Sequence, residues 1–115
     1  MQPETLTAAR AELDRLWSRG TAFLGCRYAI LGGAMSWVSE KHLVSAISNA
    51  GGFGVIACGA MSPAQLADQI AGTQAMTDKP FGVNLITMHP ELNELIRVTL
   101  DAKVGHIVLA GGIPP

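Results

Sequence analysis

The sequence predicts an α/β fold built on a parallel β-sheet, and two observations support this fold class. Short apolar segments alternate with longer amphipathic ones, and the apolar segments begin roughly every 25 residues, which is the spacing of βα units. Hydrophobic residues make up 49% of the 115 residues and charged residues only 15%, as expected for strands covered on both faces. Alternating strands and helices imply right-handed crossovers between parallel strands.

A helix is predicted at the amino end, from Thr5 to Ser18, with Gly20 as its stop. Its apolar residues recur at the spacing of one helix face, and they are Leu6, Ala9, Leu13, Leu16 and Trp17. We expect this helix to dock at the base of the domain, although an undocked amphipathic extension is the alternative. Residues 1–27 are therefore assigned to an N-terminal helix and lead-in, and residues 28–115 to the sheet domain.

The first predicted βα unit follows this lead-in. Its strand is expected at Ala29–Leu31 and its helix at Glu40–Ala50. Ser39 is the predicted N-cap of the helix, and Gly51 is its predicted stop. Trp37, in the turn between strand and helix, is expected to pack in the core under that turn.

Three further strands are predicted, at Gly54–Ala57, Phe81–Ile86 and His106–Ala110. The helix after the second strand opens with Ser62-Pro63-Ala64-Gln65, which combines an N-cap, a proline at the first helical position and a capping-box glutamine. The helix after the third strand is expected to begin at Pro90. The residues predicted to face inward from these two helices are Leu66, Ile70, Met76, Leu92, Leu95, Ile96 and Leu100.

The composition argues against several classes of function. A net charge of −1 gives no electrostatic footprint for a nucleic acid or a membrane surface. The sequence contains no run of about 18 apolar residues, so no transmembrane helix is predicted. No signal peptide is evident either, so we expect a cytoplasmic protein in which Cys26 and Cys58 are reduced. No metal site is expected, because the three histidines lack ligand spacing.

Two architectures fit this pattern: an open doubly wound sheet, or half of a (β/α)8 barrel, since a whole barrel needs about 250 residues. In both, ligands bind at the carboxyl ends of the strands. Four segments follow the strands, and they are Gly33-Ala34-Met35-Ser36, Cys58-Gly59-Ala60, Asn84 to His89, and Ala110-Gly111-Gly112. They are rich in small, uncharged residues, which suits a flat ligand such as a flavin.

Asn84 is the most informative single residue, because an amide between Val83 and Leu85 in an apolar strand needs hydrogen-bond partners. Its amide offers donors and acceptors, as the edge of a flavin pyrimidine does. The structural alternative is an asparagine that bonds to neighbouring loop carbonyls. Cys58 could face the site or lie buried as a small hydrophobe, and His89 could line the site or be a solvated loop residue.

Two other histidines are assigned no chemistry. His106 starts a strand on the side away from the ligand face, so we interpret it as structural, and His42 is expected at the surface. No paired carboxylates, nucleophile and base, or phosphate loop can be assembled, so no catalytic residue is assigned.

The chain resembles the nitronate monooxygenase family, formerly called 2-nitropropane dioxygenases, which is related to FMN-dependent enoyl-acyl-carrier-protein reductases. The matching blocks are I-L-G-G-A-M-S-W-V (30–38), S-N-A-G-G-F-G-V-I (48–56), T-D-K-P-F-G-V-N-L (77–85) and A-G-G-I-P (110–114). The likeness covers about Tyr28 to Pro115. It implies that the fold comprises the first four βα units of a (β/α)8 TIM barrel, preceded by the N-terminal helix.

The resemblance also implies which residues bind the cofactor. It implies that Asn84 contacts FMN, that Gly33, Ala34, Met35 and Ser36 lie against the flavin ring, and that Gly111 and Gly112 sit at the site mouth. The family usually has Gln-Gly-Gly-Met-Ala in the first turn, where this chain has Gly32-Gly33-Ala34-Met35-Ser36.

The implied reaction takes electrons from an alkyl nitronate to FMN and from the reduced flavin to O₂. The family's catalytic histidine and phosphate-binding loops belong to the second half of the barrel. The 115 residues of this chain are therefore not expected to catalyse the reaction alone. An FMN-dependent enoyl reductase using NAD(P)H is one alternative. Another is a non-catalytic half-barrel that assembles with a partner, or with a second copy through its exposed edge. A complete flavodoxin-like domain is a third, which the absence of a fifth strand disfavours.

Overall fold

The computed structural model describes residues 2–113. Its helices are α1 (Pro3–Leu16), α2 (Ser18–Leu24), α3 (Lys41–Asn49), α4 (Pro63–Met76) and α5 (Leu92–Asp101). Its strands are β1 (Leu31–Gly32), β2 (Phe53–Ala57), β3 (Phe81–Ile86) and β4 (His106–Ala110). From β1 onward, strands and helices alternate as predicted.

The four strands form one parallel sheet in the order β1-β2-β3-β4. Each strand therefore pairs with the next one in the chain, whereas a doubly wound sheet reverses its strand order at a switch point. Sequential order is the arrangement of a (β/α)8 barrel. The predicted fold class, the first four βα units of a TIM barrel, is confirmed, with two helices rather than one before the sheet.

The sheet has one face covered by α3, α4 and α5. Ile56, Val83 and Leu85 point toward these helices and are fully buried with Leu66 and Leu95. We call this side the helix face. Alternate residues point to the opposite side, which is the interior side of a barrel, and we call it the inner face.

The amino end of the inner face is covered by α2. Leu24 is buried there against Phe53 and Val55. The His106 ring packs edge-on against Phe23 and Phe53, with ring centroids 5.0 Å apart in both pairs, and its Nε2 lies 2.8 Å from the Phe23 carbonyl oxygen, to which it donates. His106 therefore serves the packing of α2, as predicted.

The amino-terminal prediction was wrong in two respects. The chain forms two helices, and the stop is Gly25, whose φ of 72° suits glycine, because α2 continues through Gly20. None of the α1 residues is buried, so the predicted docking is not observed. An ion pair between Arg27 and Asp14 (2.8 Å) is among the few links between α1 and the rest of the chain.

The observed boundaries of α3 and α5 differ slightly from the predicted ones. α3 is capped by Glu40, not Ser39: one carboxylate oxygen of Glu40 accepts hydrogen bonds from the backbone N–H groups of His42 (3.0 Å) and Leu43 (3.1 Å). α5 begins at Leu92 rather than at Pro90. The capping box of α4 is present as predicted.

Strand β1 begins two residues later and ends one residue later than predicted, because Leu31 and Gly32 are the residues in register with β2. Three side chains expected in the core are exposed instead: Trp37 by 64%, Met76 by 41% and Leu100 by 60%. Trp37 lies in a surface turn, where its φ is 63°, and its side chain is exposed to solvent. Met76 is the last residue of α4, and Leu100 lies on the outer side of α5.

Candidate functional site

Asn84 lies on the inner face in the middle of the sheet, between Ala57 of β2 and Val108 of β4. It is half-buried. Its side-chain amide has no hydrogen-bond partner within residues 2–113, so the loop carbonyls that a structural role would require do not contact it. This amide is therefore available for a ligand that presents both acceptors and donors.

The first turn, residues 33–36, lies at the carboxyl end of β1. All four of its residues are exposed, and Met35 is exposed by 52%. A Cβ added at Gly33 would meet no atom within 4 Å. The packing of the described chain therefore does not require glycine there, and the turn offers open space on that side.

The first turn is linked to Asn84 through β2. The backbone N–H of Ala57 donates to the Ser39 carbonyl (3.0 Å), and the Cys58 N–H donates to the Asn84 carbonyl (3.2 Å). Ser39 itself is 2% exposed and bonds to Gly33 and Met35. This role could not be predicted from the sequence, because a serine just before a helix is the typical N-cap.

The Cys58 thiol does not belong to this site. It is 1% exposed and packs in the core of the helix face. Burial raises the pKa of the Cys58 thiol to about 11, so the neutral thiol dominates at neutral pH. The structure confirms the interpretation as a small buried hydrophobe.

His89 also has a structural role. Its Nε2 donates to the Met61 carbonyl (3.1 Å), and its Nδ1 accepts from the Glu91 backbone N–H (3.0 Å). Both ring nitrogens are thereby used to join the loop after β2 to the loop after β3. This leaves His89 without a free nitrogen for a substrate.

The glycines after β4 lie against the end of β3. Gly111 has a φ of 89°, and a Cβ there would approach Ile86 to 3.2 Å. A Cβ on Gly112 would lie 3.2 Å from the Thr87 hydroxyl. Both glycines are exposed at the carboxyl end of the sheet, as the first turn is.

A groove of about 540 Å³ lies at the opposite end of the strands, lined by residues that include Phe23, Lys79, Lys103 and His106. It is formed by the loops before β3 and β4 and by the end of α2. In parallel α/β folds this end serves stability, whereas ligands bind at the carboxyl ends. The surroundings of Asn84, rather than this groove, are therefore the candidate site.

Residues 2–113 contain neither a cluster of metal ligands nor a helix that could span a membrane. Within residues 2–113, no three His, Cys, Asp or Glu side chains come close enough to hold a metal ion. None of the helices in this range combines the length and the hydropathy needed to cross a membrane.

The solved structure of FabK from Thermotoga maritima is similar to this chain. The TM-score is 0.80 with 39% sequence identity, over 82% of this chain and 30% of FabK. Its M276A mutant matches with a TM-score of 0.81 and 40% identity, over 84% of this chain and 33% of that one.

Curated relatives show similar identities. A (3aS,4S,5R,7aS)-5-hydroxy-7a-methyl-1-oxo-octahydro-1H-indene-4-carboxyl-CoA dehydrogenase of Mycobacterium tuberculosis is 42% identical over 62% of this chain and 20% of its own length. The nitronate monooxygenase of Paraburkholderia phytofirmans is 39% identical over 58% of this chain and 18% of its own length. The chain thus spans about a fifth of these relatives.

The family comparison covers most of the chain. The model of the nitronate monooxygenase family matches residues 18–109, which run from α2 through most of β4. This range contains the first turn and Asn84 and excludes α1. The chain belongs to the nitronate monooxygenase family.

Proposed function

We propose that this chain forms part of the flavin site of an FMN-dependent oxidoreductase. The observation that carries the proposal is the Asn84 amide, which lies on the inner face of the sheet without a partner in the described chain. Its carbonyl and NH₂ groups can pair with the alternating donors and acceptors of a flavin pyrimidine. A half-buried amide of this kind gains more from a ligand than a solvated one does.

Exposed residues around Asn84 would hold the remainder of the ring. Gly33, Ala34, Met35 and Ser36 would lie against the isoalloxazine, since their side chains are small or flexible and uncharged. Gly111 and Gly112 would form the mouth of the site. Bound FMN would accept electrons from the substrate and pass them to O₂.

The proposed substrate is an alkyl nitronate, and the support is membership of the nitronate monooxygenase family. We assign no catalytic residue in this chain. Cys58 and His89 are engaged in packing and in hydrogen bonds, so neither offers a proton acceptor to a substrate at the inner face. The role of this chain is to bind and orient the flavin.

The FMN site is tested by titrating FMN with the protein and following the quenching of flavin fluorescence. We expect weak, saturable binding that Asn84→Ala weakens by roughly tenfold, as for the loss of one or two hydrogen bonds. Asn93→Ala is the matched control, because Asn93 is exposed on the outer helix α5. Equal affinity of Asn84→Ala and Asn93→Ala would contradict the assignment.

A flavin-dependent reaction on an acyl thioester with NAD(P)H is the second candidate. The observation that favours it is the name of the M. tuberculosis relative, a dehydrogenase of a CoA ester. Two measurements on a flavin-loaded full-length enzyme that contains this chain separate the candidates. Oxygen uptake that depends on an alkyl nitronate supports the first, whereas anaerobic bleaching of the flavin by NADH or NADPH without nitronate supports the second.

A further inference from the structure

Ser39 is a buried polar residue whose hydroxyl does not cap a helix. It is 2% exposed, and Glu40 takes the capping position of α3. The Ser39 Oγ donates to the Gly33 carbonyl (3.0 Å) and accepts from the Met35 N–H (2.9 Å). Both partners belong to the first turn, so one hydroxyl bridges two of its residues.

The Ser39 backbone connects the same turn to the sheet. Its N–H donates to the Met35 carbonyl (2.8 Å), and its carbonyl accepts from the Ala57 N–H (3.0 Å). Ala57 is in register with Asn84. Ser39 is therefore the junction through which the position of the turn is fixed relative to the Asn84 amide.

Apart from its bonds to Ser39, the turn is held by one further backbone hydrogen bond within residues 33–38, from the Val38 N–H to the Met35 carbonyl (3.0 Å). Residues 33–38 belong to no helix or strand, and the surroundings of Gly33 are open. Trp37 has a φ of 63°, a conformation that costs a non-glycine residue free energy and persists only when neighbours enforce it. The hydroxyl of Ser39 is well placed to supply that constraint.

We propose that Ser39 is a positioning residue for the flavin. Its hydroxyl holds residues 33–35 in the backbone conformation that contacts the flavin ring. This inference rests on the proposed function. It predicts that removal of the hydroxyl loosens the turn and weakens flavin binding, although Ser39 does not touch the ligand. A buried serine with only a structural role would instead change global stability and leave the bound flavin unaltered.

The test compares Ser39→Ala with Ser45→Ala in the full chain. Ser45 is the matched control, because it is also 2% exposed and its hydroxyl bonds within α3 to the His42 carbonyl (3.1 Å). Three quantities are measured: amide hydrogen exchange at Met35 without flavin, the Kd for FMN, and the visible spectrum of bound FMN. If Ser39→Ala does not fold, Ser39→Cys replaces it, since a thiol keeps the shape with weak hydrogen bonding.

We expect Ser39→Ala to speed exchange at Met35, raise the Kd by roughly tenfold and shift the flavin spectrum, with Ser45→Ala like the wild type in all three. Unchanged exchange at Met35 would overturn the inference, as would faster exchange with unchanged affinity and spectrum. Failure of the wild type itself to bind FMN would instead refute the proposed function, and this inference with it.

Discussion

Asn84 shows how far single residues could be interpreted from the sequence. A side-chain amide between valine and leucine in a strand predicts a polar group that needs a hydrogen-bond partner. The strand register places the Asn84 amide at the centre of the inner face. Ser39 shows the opposite case. The residue type and its position before a helix predict a cap, and only the three-dimensional path of the turn brings Gly33 within reach of its hydroxyl.

The two cysteines give a prediction at the same scale. Cys58 is fully buried with its pKa raised to about 11 by desolvation, so little thiolate exists at pH 8, whereas Cys26 is half-buried. We expect a Cys26→Ser chain to react with a thiol-specific disulfide reagent at least about tenfold more slowly than the unfolded chain does. A Cys58→Ser chain is the comparison. Equal rates for folded and unfolded Cys26→Ser would contradict the assigned burial.

At the scale of elements, helical spacing and capping signals located four helical segments, and the errors have physical causes. α2 was missed because Gly20 was taken as a helix stop, whereas hydrogen bonds from Trp17 to Leu13 and from Thr21 to Trp17 carry the helical path across the junction of α1 and α2. β1 was displaced because only two residues pair with β2. A strand that short carries no periodicity of its own.

The cap of α3 predicts a pH dependence of stability. Burial alone would raise the pKa of Glu40, but the backbone N–H donors of His42 and Leu43, with the charge of Lys41, lower it below 4.5 on balance. The stabilisation is therefore present above pH 4.5 and is lost as pH falls through the lowered pKa. This pH-dependent stabilisation should be absent from Glu40→Gln, which keeps a hydrogen-bond acceptor but loses the charge.

We expect Glu40→Gln to lower the free energy of unfolding at pH 7 by about 0.5 kcal/mol, measured by urea denaturation. The difference from the wild type should shrink as pH falls below 4.5, because the carboxylate of the unfolded chain is protonated first and the native carboxylate, with its lowered pKa, only at lower pH. Asp68→Asn, an exposed change in the middle of α4, serves as the control. A wild-type advantage that is constant from pH 7 to pH 3 would argue against a charged cap.

At the scale of the whole molecule, the sequence left a doubly wound sheet and a half-barrel open, because both alternate strands with helices. Strand order distinguishes them, and order depends on long-range pairing that no local pattern encodes. The same order leaves β1 and β4 as the two edges of the described sheet. Apolar side chains are exposed along both edges: Ile30 by 59%, Leu31 by 51%, Val108 by 39% and Leu109 by 43%.

Exposed edges with apolar side chains favour pairing with another chain. We therefore expect the 115-residue chain to self-associate through an edge, as seen by light scattering. Leu109→Lys should shift it toward the monomer by placing a charge on β4. Leu100→Lys is the control, since Leu100 is exposed by 60% on α5 and lies away from the edge. A monodisperse wild-type monomer would refute the prediction.

The most direct test of the Asn84 site is nuclear magnetic resonance of the ¹⁵N-labelled protein during addition of FMN. The side-chain NH₂ signals of Asn84 should shift in a saturable way, together with the backbone signals of Ala34, Met35 and Ser36. The side-chain signals of Asn93 on α5 should stay in place. Saturable shifts confined to residues other than Asn84 and the first turn, or no shifts at all, would contradict a flavin site on the inner face.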